Sequence, residues 1–269
     1  MLGLRDPAAG GVEMSPVGNS AEVSVQRTYD AFAPAYDDFN RGYMYERWTG
    51  RLLQKAEEAG LRGDRLLDVA CGTGLSFVAL LERGWQVTGC DISPAMLDLA
   101  RDRAGDAATL LNADMRALPN LGEFDLIWSL NDSLNYLLSP AELEAALGGM
   151  RRNLAPGGII LFDVNTLTIY RTSFSNERVV ETSGRRLVWK GQMSAPEIEG
   201  GSINEARFEA EGEESGGEVH RQRHFAEDEV RAAIEAAGLR CLDVFGELDG
   251  DLYPRVNEDL HTKAVYLAG

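Results

Sequence analysis

"LLDVACGTGLSF", residues 66–77, joins an apolar strand to a turn with two glycines and then to a helix. Gly72 and Gly74 allow the backbone to approach a ligand closely, because no Cβ atom stands in the way. Ligands of an open parallel sheet bind outside the carboxyl ends of its strands, where the strand order reverses. The turn after this strand therefore predicts a cofactor site.

Two phosphate-binding motifs do not fit this stretch. A dinucleotide turn requires a third small residue where Phe77 stands, because the pyrophosphate rests on a closely packed helix start. A triphosphate loop requires a Gly-Lys-Ser/Thr sequence, which does not follow Gly74. A nicotinamide-dependent oxidoreductase and a non-catalytic nucleoside-binding module stay as alternatives from other functional classes.

Two acidic residues follow the next two predicted strands. Asp91 closes the second strand, where a carboxylate can accept hydrogen bonds from both hydroxyls of a ribose. Asp114 follows the third strand, where it can accept the adenine amine while Met115 lies along the ring. Asp68, within the first strand, is expected to orient the amides of the turn. An adenine and a ribose without a diphosphate point to S-adenosylmethionine as the cofactor.

Strand-like and helix-like segments alternate along most of the chain. The predicted strands are 65–70, 86–91, 109–112, 124–130, 158–164, 240–246 and 260–267. Helices are predicted after the first strand to about residue 83 and at 94–104, 140–154 and 226–237. Such alternation favours parallel pairing through right-handed crossovers, with helices on both faces. The predicted fold class is α/β, a doubly wound and mostly parallel sheet of seven strands.

The other segments suggest how the chain divides. Residues 1–20 are rich in Gly, Pro, Ala and Ser without an apolar period, so a disordered leader is expected. Two amphipathic helices follow, the first interrupted at Pro34. Residues 21–164 and 226–269 are assigned to a cofactor-binding domain. Residues 165–225 alternate apolar and polar side chains between turn-rich stretches, so they are assigned to an antiparallel β lid.

Composition and charge limit the classes of molecule that the protein is expected to bind. The 269 residues, 44% of them hydrophobic, are enough for one large domain with a sizeable core. The net charge of −17 opposes contact with a nucleic-acid backbone, so no nucleic-acid partner is expected. We also expect no membrane partner and a cytoplasmic location, because no apolar window has the length of a membrane helix. No metal site is expected, because His220 and His224 fall on a predicted strand without a third ligand nearby.

Five segments resemble, in order, the successive motifs of class I S-adenosylmethionine-dependent methyltransferases. They are LLDVACGTG, VTGCDISPAML, NADMRAL, FDLIWSLNDSLNYL and LAPGGIILFDV, within residues 64–164. The resemblance implies a Rossmann-like methyltransferase fold that binds S-adenosylmethionine. The cofactor contacts that it implies are Tyr36, Ala70, Cys71, Gly72, Gly74, Asp91, Ile92, Met96, Asp114, Met115, Leu130 and Asn131.

The acceptor is expected to bind after the fourth strand, at SLNDSLNYLLS. Asp132 and Tyr136 are the candidate catalytic residues there. The alternative is that Asp132 and Ser133 only cap a turn.

The segment after the fifth long strand is similar to that of methyltransferases acting on small amines. These include glycine N-methyltransferases and the N,N-dimethyltransferases of nucleotide-linked aminosugars. The similarity implies that Asp163, Asn165 and Tyr170 hold the acceptor. Aminosugar enzymes carry a His where Tyr136 stands, so Tyr136 or Asp132 would serve if a base is needed. The expected reaction is methyl transfer to an amine of a small metabolite, with O-methylation as the alternative and a homodimer left open.

Overall fold

A computed structural model describes residues 20–182, 184–211 and 217–269. The leader expected at residues 1–20 lies outside this part of the chain, except for Ser20. The described helices are α1 Ser20–Phe39, α2 Tyr45–Glu58, α3 Val78–Leu81, α4 Pro94–Ala104, α5 Pro140–Arg152, α6 Leu167–Ser173 and α7 Glu227–Ala236. None of these helices has the length and apolar character needed to cross a bilayer.

The main sheet contains eight of the described strands. They are β1 Arg65–Val69, β2 Gln86–Asp91, β3 Ala108–Asn112, β4 Phe124–Ser129, β5 Leu154–Asn165, β10 Cys241–Leu248, β11 Asp251–Pro254 and β12 Lys263–Ala268. The strand order is β11-β10-β12-β5-β4-β1-β2-β3. Strands β1 to β5 pair in parallel, and β10, β11 and β12 pair antiparallel. The order reverses between β1 and β4, which is where an open sheet binds its ligand.

The predicted α/β class with a mostly parallel doubly wound sheet is confirmed, but the sheet has one strand more than expected. Leu248 pairs with Asp251, so only Asp249 and Gly250 connect β10 to β11. Both connecting residues have positive φ, of 54° and 80°. Asp-Gly is a strong signal for such a two-residue hairpin, and the sequence prediction overlooked it.

The first helix also differs from its prediction, because α1 continues through Pro34. A proline inside a helix removes one backbone hydrogen bond and costs about 3 kcal/mol. The neighbouring Phe32, Ala33 and Ala35 are buried, and packing of this face outweighs the lost bond.

Adjacent residues of β1 point to opposite faces of the sheet. Leu66 packs in a core cluster with α2, whereas Leu67 packs in a second cluster with α5 and α7. Apolar side chains on both faces are expected of a parallel strand covered by helices on each side.

A second sheet is inserted after β5 and is antiparallel throughout. Its strands are β6 Glu177–Thr182, β7 Arg185–Gly191, β8 Ile203–Ala210 and β9 Glu218–Arg223, in that order. His220 lies in β9, as the strand prediction for this stretch required. The Phe32 ring of α1 packs against Phe208 of β8 with centroids 4.2 Å apart, so α1 contacts this small sheet.

Candidate active site

The two glycines after β1 have different roles. Gly72 has a φ of 55°, and a Cβ placed on it would meet nothing within 4 Å. The backbone at Gly72 therefore faces open space. Gly74 has a φ of 83°, but a Cβ there would lie 2.6 Å from the ring of the buried Phe77. The Phe77 ring therefore leaves no room for a side chain at Gly74. Gly74 does not line the cofactor cleft described below.

Asp91, at the end of β2, is buried beside this turn. Its Oδ2 accepts a hydrogen bond from the Gly72 amide at 2.8 Å, and its Oδ1 accepts one from the Ser93 amide at 2.9 Å. Burial raises the pKa of Asp91 to about 6. A carboxylate oxygen can accept more than one hydrogen bond, so Asp91 retains acceptor capacity for a ligand.

The cofactor cleft lies at the carboxyl ends of β1, β2 and β4. It has two adjoining parts, and both are lined by Tyr36, Ala70, Gly72, Asn131 and Ser133. One part adds Cys71 and Leu130, and the other adds Asp91, Ile92 and Met115. Nine of the twelve predicted cofactor contacts therefore line this cleft.

The other predicted contacts, besides Gly74, lie off the cleft wall. Met96 is fully buried in the first turn of α4, where its amide donates to Ser93 Oγ at 3.1 Å. The Asp114 carboxylate forms an ion pair with the Arg116 guanidinium at 2.6 Å. This pair fixes the direction of the carboxylate that the sequence prediction assigned to adenine, and Asp114 does not line either part of the cleft.

The polar segment after β4 makes a left-handed turn. Asn131 and Asp132 have φ values of 58° and 54°, which are uncommon for residues other than glycine. Asp163 of β5 stabilises this turn, because its two oxygens accept hydrogen bonds from the Asn131 and Asp132 amides at 2.9 and 2.7 Å. Asp163 is fully buried. Asp163 lies behind the turn and does not line the cavity, described below, in which an acceptor could bind. This position corrects its prediction as an acceptor contact.

Lys263 of β12 completes this cluster and was missed in the sequence. Its ammonium lies 2.8 Å from Asp163 Oδ1 and 3.2 Å from Asp132 Oδ1. Burial alone would lower the pKa of Lys263, but the two carboxylates raise it well above its ordinary value. Two carboxylates and one ammonium carry a net charge of −1. The only sequence signal was a single lysine at the start of an apolar strand.

A second cavity, which we call the acceptor cavity, opens on the other side of this turn. Its volume is about 260 Å³, and its walls include Asn131, Asp132, Tyr136, Asn165 and Lys263. Of the predicted acceptor contacts, Asn165 lines it, and the Asn165 amide nitrogen donates to Gln222 Oε1 at 3.0 Å. Tyr170 does not line it: the Tyr170 ring is fully buried, and its hydroxyl donates to the Arg223 carbonyl at 3.0 Å.

Tyr136 pairs with a histidine from the small sheet. Its hydroxyl lies 2.7 Å from Nδ1 of His220, in β9. Burial lowers the pKa of His220 to about 3, so this imidazole is neutral at physiological pH. The sequence comparison noted a tyrosine where aminosugar enzymes carry a histidine. It did not foresee that a histidine distant in the chain would contact that tyrosine.

Helix α1 covers the cofactor cleft and is attached by two of its acids. Asp30 Oδ1 accepts hydrogen bonds from Ser93 Oγ at 2.6 Å and from the Ala95 amide at 3.3 Å. Asp37 Oδ1 accepts one from Thr73 Oγ1 at 2.7 Å, and Asp37 Oδ2 pairs with Arg103. These contacts hold Tyr36 over the cleft.

The residues of the cleft fit S-adenosylmethionine. Open space beside Gly72 leaves room for the cofactor against the backbone, and Asp91 can accept the ribose hydroxyls. Asn131 Oδ1 is buried and has no hydrogen-bond partner among the described residues, so it can accept a donor from a bound molecule. Asn131 lines both parts of the cofactor cleft and also the acceptor cavity, which places it where the two meet.

Comparisons with known proteins agree with this geometry. A family model described as a methyltransferase domain matches residues 66–158. The chain is 30% identical over 216 residues to a dTDP-3-amino-3,4,6-trideoxy-alpha-D-glucopyranose N,N-dimethyltransferase of Streptomyces venezuelae, covering 77% of this chain and 90% of that enzyme.

Two solved structures are similar over most of the chain. One is an S-adenosylmethionine-dependent methyltransferase from Clostridium acetobutylicum, with a TM-score of 0.72 and 24% identity, covering 89% of this chain and 98% of that one. The other is CalS10 of Micromonospora echinaspora, an amino pentose methyltransferase with bound S-adenosylmethionine, with a TM-score of 0.67 and 26% identity over 88% and 95% of the chains. This protein therefore belongs to the class I S-adenosylmethionine-dependent methyltransferases and resembles their aminosugar N-methyltransferases.

Proposed function

We propose that this methyltransferase acts on an amine of a small molecule that binds in the acceptor cavity. The observation that carries the proposal is the cluster of Asp132, Asp163 and Lys263, whose formal charges sum to −1 and of which Asp132 and Lys263 line the acceptor cavity. A negative site favours an acceptor nitrogen, which becomes positive as it is methylated, over a hydroxyl. The relatives named above, a sugar N,N-dimethyltransferase and an amino pentose methyltransferase, support the same choice.

The cofactor supplies, when bound, a methyl group on a positively charged sulfur. Gly72 and Ala70 would hold it by their exposed backbone, Asp91 would accept its ribose hydroxyls, and Ile92 and Met115 would lie against its adenine. Tyr36 and Asn131 would contact its methionine end, because both also line the acceptor cavity.

Asp132 would orient the acceptor amine. Its Oδ2 accepts a hydrogen bond from Gln222 Nε2 at 2.6 Å, and its Oδ1 contacts Lys263, so the carboxylate has a fixed direction. A fixed carboxylate can hold one N–H of the amine while the nitrogen lone pair points toward the methyl carbon. Displacement requires these atoms to lie about 3 to 3.5 Å apart, so much of the rate comes from positioning. The Tyr136 oxygen would accept a second N–H from the other side.

Methylation of a hydroxyl is the second candidate, because the Tyr136 hydroxyl, held by His220, could also orient a substrate hydroxyl. A radiolabelled methyl-transfer assay with matched amine and alcohol acceptors, such as aminosugars and the corresponding sugars, separates the two. The proposal expects label in the amines only, and expects Asp132→Asn to lower the transfer at least tenfold. Label in the alcohols only would overturn it.

Three further expectations from the sequence remain predictions. They are a homodimer, the absence of a nucleic-acid partner and a cytoplasmic location. The division into a cofactor-binding domain (21–164 and 226–269) and a lid (165–225) is also proposed. Contacts of α1 and of the Tyr136 turn with the small sheet support a lid role for that sheet.

A further inference from the structure

Apolar side chains from three helical and strand segments form one wall of the acceptor cavity. We call it the apolar wall; its members are Phe32 and Phe39 of α1, Ile169 of α6, Phe174 directly after α6, and Trp189 of β7. All five line the acceptor cavity, and none of the five lines either part of the cofactor cleft. A molecule in the acceptor cavity would therefore contact these side chains, whereas a cofactor in the cleft would not.

Trp189 connects the members of the apolar wall. Its ring centroid lies 6.2 Å from that of Phe39 and 5.5 Å from that of Phe174. The Phe39 centroid in turn lies 5.7 Å from that of Phe32. The single polar atom of the Trp189 side chain, Nε1, donates to the Ser173 carbonyl at 2.8 Å. The wall therefore offers a ligand hydrocarbon surface and no free hydrogen-bonding group of its own.

The amide side chains that line the same cavity already have partners within the protein. Gln222 Nε2 donates to Asp132 Oδ2 at 2.6 Å, and Gln222 Oε1 accepts from the Asn165 amide nitrogen at 3.0 Å. Asn40 Nδ2 donates to the Tyr36 carbonyl at 2.9 Å. These groups bond to one another or to the backbone, which leaves few of their donors and acceptors for the hydroxyls of a ligand.

The two cationic side chains that line the cavity are occupied as well. Lys263 contacts Asp163 at 2.8 Å and Asp132 at 3.2 Å. The Arg178 guanidinium lies 4.6 Å from the centre of the Phe39 ring and donates to the Phe39 carbonyl at 3.2 Å. Arg178 is exposed, so it borders the cavity where this opens to solvent. A ligand that extends along the apolar wall would thus meet hydrocarbon before it meets water.

We propose that the acceptor carries its amine on an apolar body, such as a cycloalkyl or aryl ring, and not on a ring with several hydroxyls. This inference rests on the proposed function, because it takes the acceptor to be an amine oriented by Asp132. The body of the acceptor would then lie against the apolar wall, toward Trp189. Burial of apolar surface favours binding there. A hydroxyl in the same place would lose its hydrogen bonds to water without gaining a partner.

Two amines of nearly equal size and basicity test this inference. They are trans-4-methylcyclohexylamine, the methyl probe, and trans-4-aminocyclohexanol, the hydroxyl probe. The two differ only in the group opposite the amine. Full-length protein is first saturated with S-adenosylhomocysteine, the demethylated form of the cofactor, and each amine is then titrated by calorimetry. We expect the methyl probe to bind at least tenfold more tightly, because the hydroxyl is left unpaired.

Two results would overturn the inference. One is equal affinity for the two probes or tighter binding of the hydroxyl probe. The other is failure of both probes to bind protein that has bound S-adenosylhomocysteine. Neither result decides between an amine and a hydroxyl as the methylated group, because both probes are amines. The proposed function fails separately, when the methyl-transfer assay labels alcohols only.

Two substitutions in the apolar wall locate the probe. Ile169→Thr places a hydroxyl on the wall with little change of shape, so the preference for the methyl probe should fall at least threefold. Trp189→Leu removes apolar surface and should weaken binding of the methyl probe at least tenfold. Both variants should keep the native affinity for S-adenosylhomocysteine, because neither side chain lines the cofactor cleft.

The matched control is Ile203→Thr, the same change at an isoleucine outside the site. Ile203 is exposed on β8 and lines neither the acceptor cavity nor the cofactor cleft, so this variant should bind both probes as the native protein does. If Trp189→Leu does not fold, Ile169→Thr decides alone. A preference for the methyl probe that is the same in Ile169→Thr, Ile203→Thr and native protein would refute the assignment of the apolar wall.

Discussion

The ammonium of Lys263 on β12 lies 2.8 Å from Asp163 on the adjacent strand β5, and both side chains are buried. This pair stabilises the left-handed turn, because Asp163 also accepts the Asn131 and Asp132 amides. The shape of the candidate acceptor site therefore depends on a lysine from the last strand of the chain.

Replacing Lys263 with Met should destabilise the protein strongly. The change leaves the buried Asp163 carboxylate and the half-buried Asp132 carboxylate without a cation. Loss of one partner of a buried ion pair costs about 3 to 5 kcal/mol. The free energy of unfolding from urea denaturation is the measurement. Lys55→Met is the control, because Lys55 forms an exposed ion pair with Glu58 and such pairs contribute little to stability. Equal losses in the two variants would show that the Lys263 cluster is not structural.

Asp68 should make the free energy of unfolding fall as the pH rises. A carboxylate in an ion pair has the opposite effect. Burial raises the pKa of Asp68 from 3.8 to about 7, despite a hydrogen bond from Ser76 Oγ at 2.5 Å. Between pH 4 and 7 the folded protein keeps a proton that the unfolded chain releases, so this carboxyl costs stability as pH rises. Asp68→Asn removes the cost and should become more stable than the native protein by up to about 4 kcal/mol at pH 8.

The matched control for this effect is Asp125→Asn. Arg65 hydrogen bonds hold the pKa of Asp125 below its ordinary value, so the native carboxylate stabilises the fold at neutral pH and that stability is lost on acidification. Urea denaturation should show the Asp125→Asn difference from native protein change only below about pH 4, where the native carboxyl takes up a proton, and the Asp68→Asn difference change between pH 4 and 7. A constant difference between Asp68→Asn and native protein over this range would contradict the account.

Tyr136 and His220 should act as one unit in the reaction. Their hydrogen bond is 2.7 Å long, and without either partner the remaining side chain no longer has a fixed orientation. Such a bond contributes about 1 to 1.5 kcal/mol, so its loss should lower the rate of methyl transfer about tenfold. Tyr136→Phe, His220→Phe and the double variant form a double-mutant cycle. We expect the double variant to lose no more than the single ones. His224→Gln, a change in the same segment, is the control. If the losses of activity in Tyr136→Phe and His220→Phe add up in the double variant, the two residues are not coupled.

The Asp37 contacts should control how fast the cofactor product leaves. Asp37 accepts a hydrogen bond from Thr73 Oγ1 at 2.7 Å and pairs with Arg103, which holds α1 over the cleft. Asp37→Ala should speed dissociation of S-adenosylhomocysteine about tenfold, because a hydrogen bond to a charged group contributes about 1.5 kcal/mol. Stopped-flow displacement measures the rate. Asp38→Ala is the control, since Asp38 pairs with Arg41 in the turn that follows α1. Equal rates in both variants would exclude α1 as a barrier.

Local patterns in the sequence predicted the fold class and brought most of the proposed cofactor contacts to one cleft. The alternation of strands and helices predicted all strands of the main sheet except β11, and the strand ends placed Gly72, Asp91 and Met115 at one edge. Gly74 does not line the cleft because the Phe77 ring packs against it, and Met96 does not line it because its side chain is fully buried.

The candidate acceptor site was less predictable, because it depends on contacts between distant parts of the chain. Asp163 was recognised as a polar residue near a strand end, but its position behind the turn follows from β5 lying next to β4. Lys263 and His220 enter from β12 and β9, and no local spacing links them to residues 131–136.

The most direct test of the account is the affinity of S-adenosylhomocysteine for the native protein and for Asp91→Asn, measured by calorimetry at pH 8. At this pH the Asp91 carboxyl, with a pKa of about 6, is ionised and can accept ribose hydroxyls. Asp114→Asn is the comparison, since Asp114 is held by Arg116 away from the cleft. The account predicts that Asp91→Asn weakens binding about thirtyfold or more, for a loss of about 2 kcal/mol, while Asp114→Asn changes little. Full affinity in Asp91→Asn would contradict it.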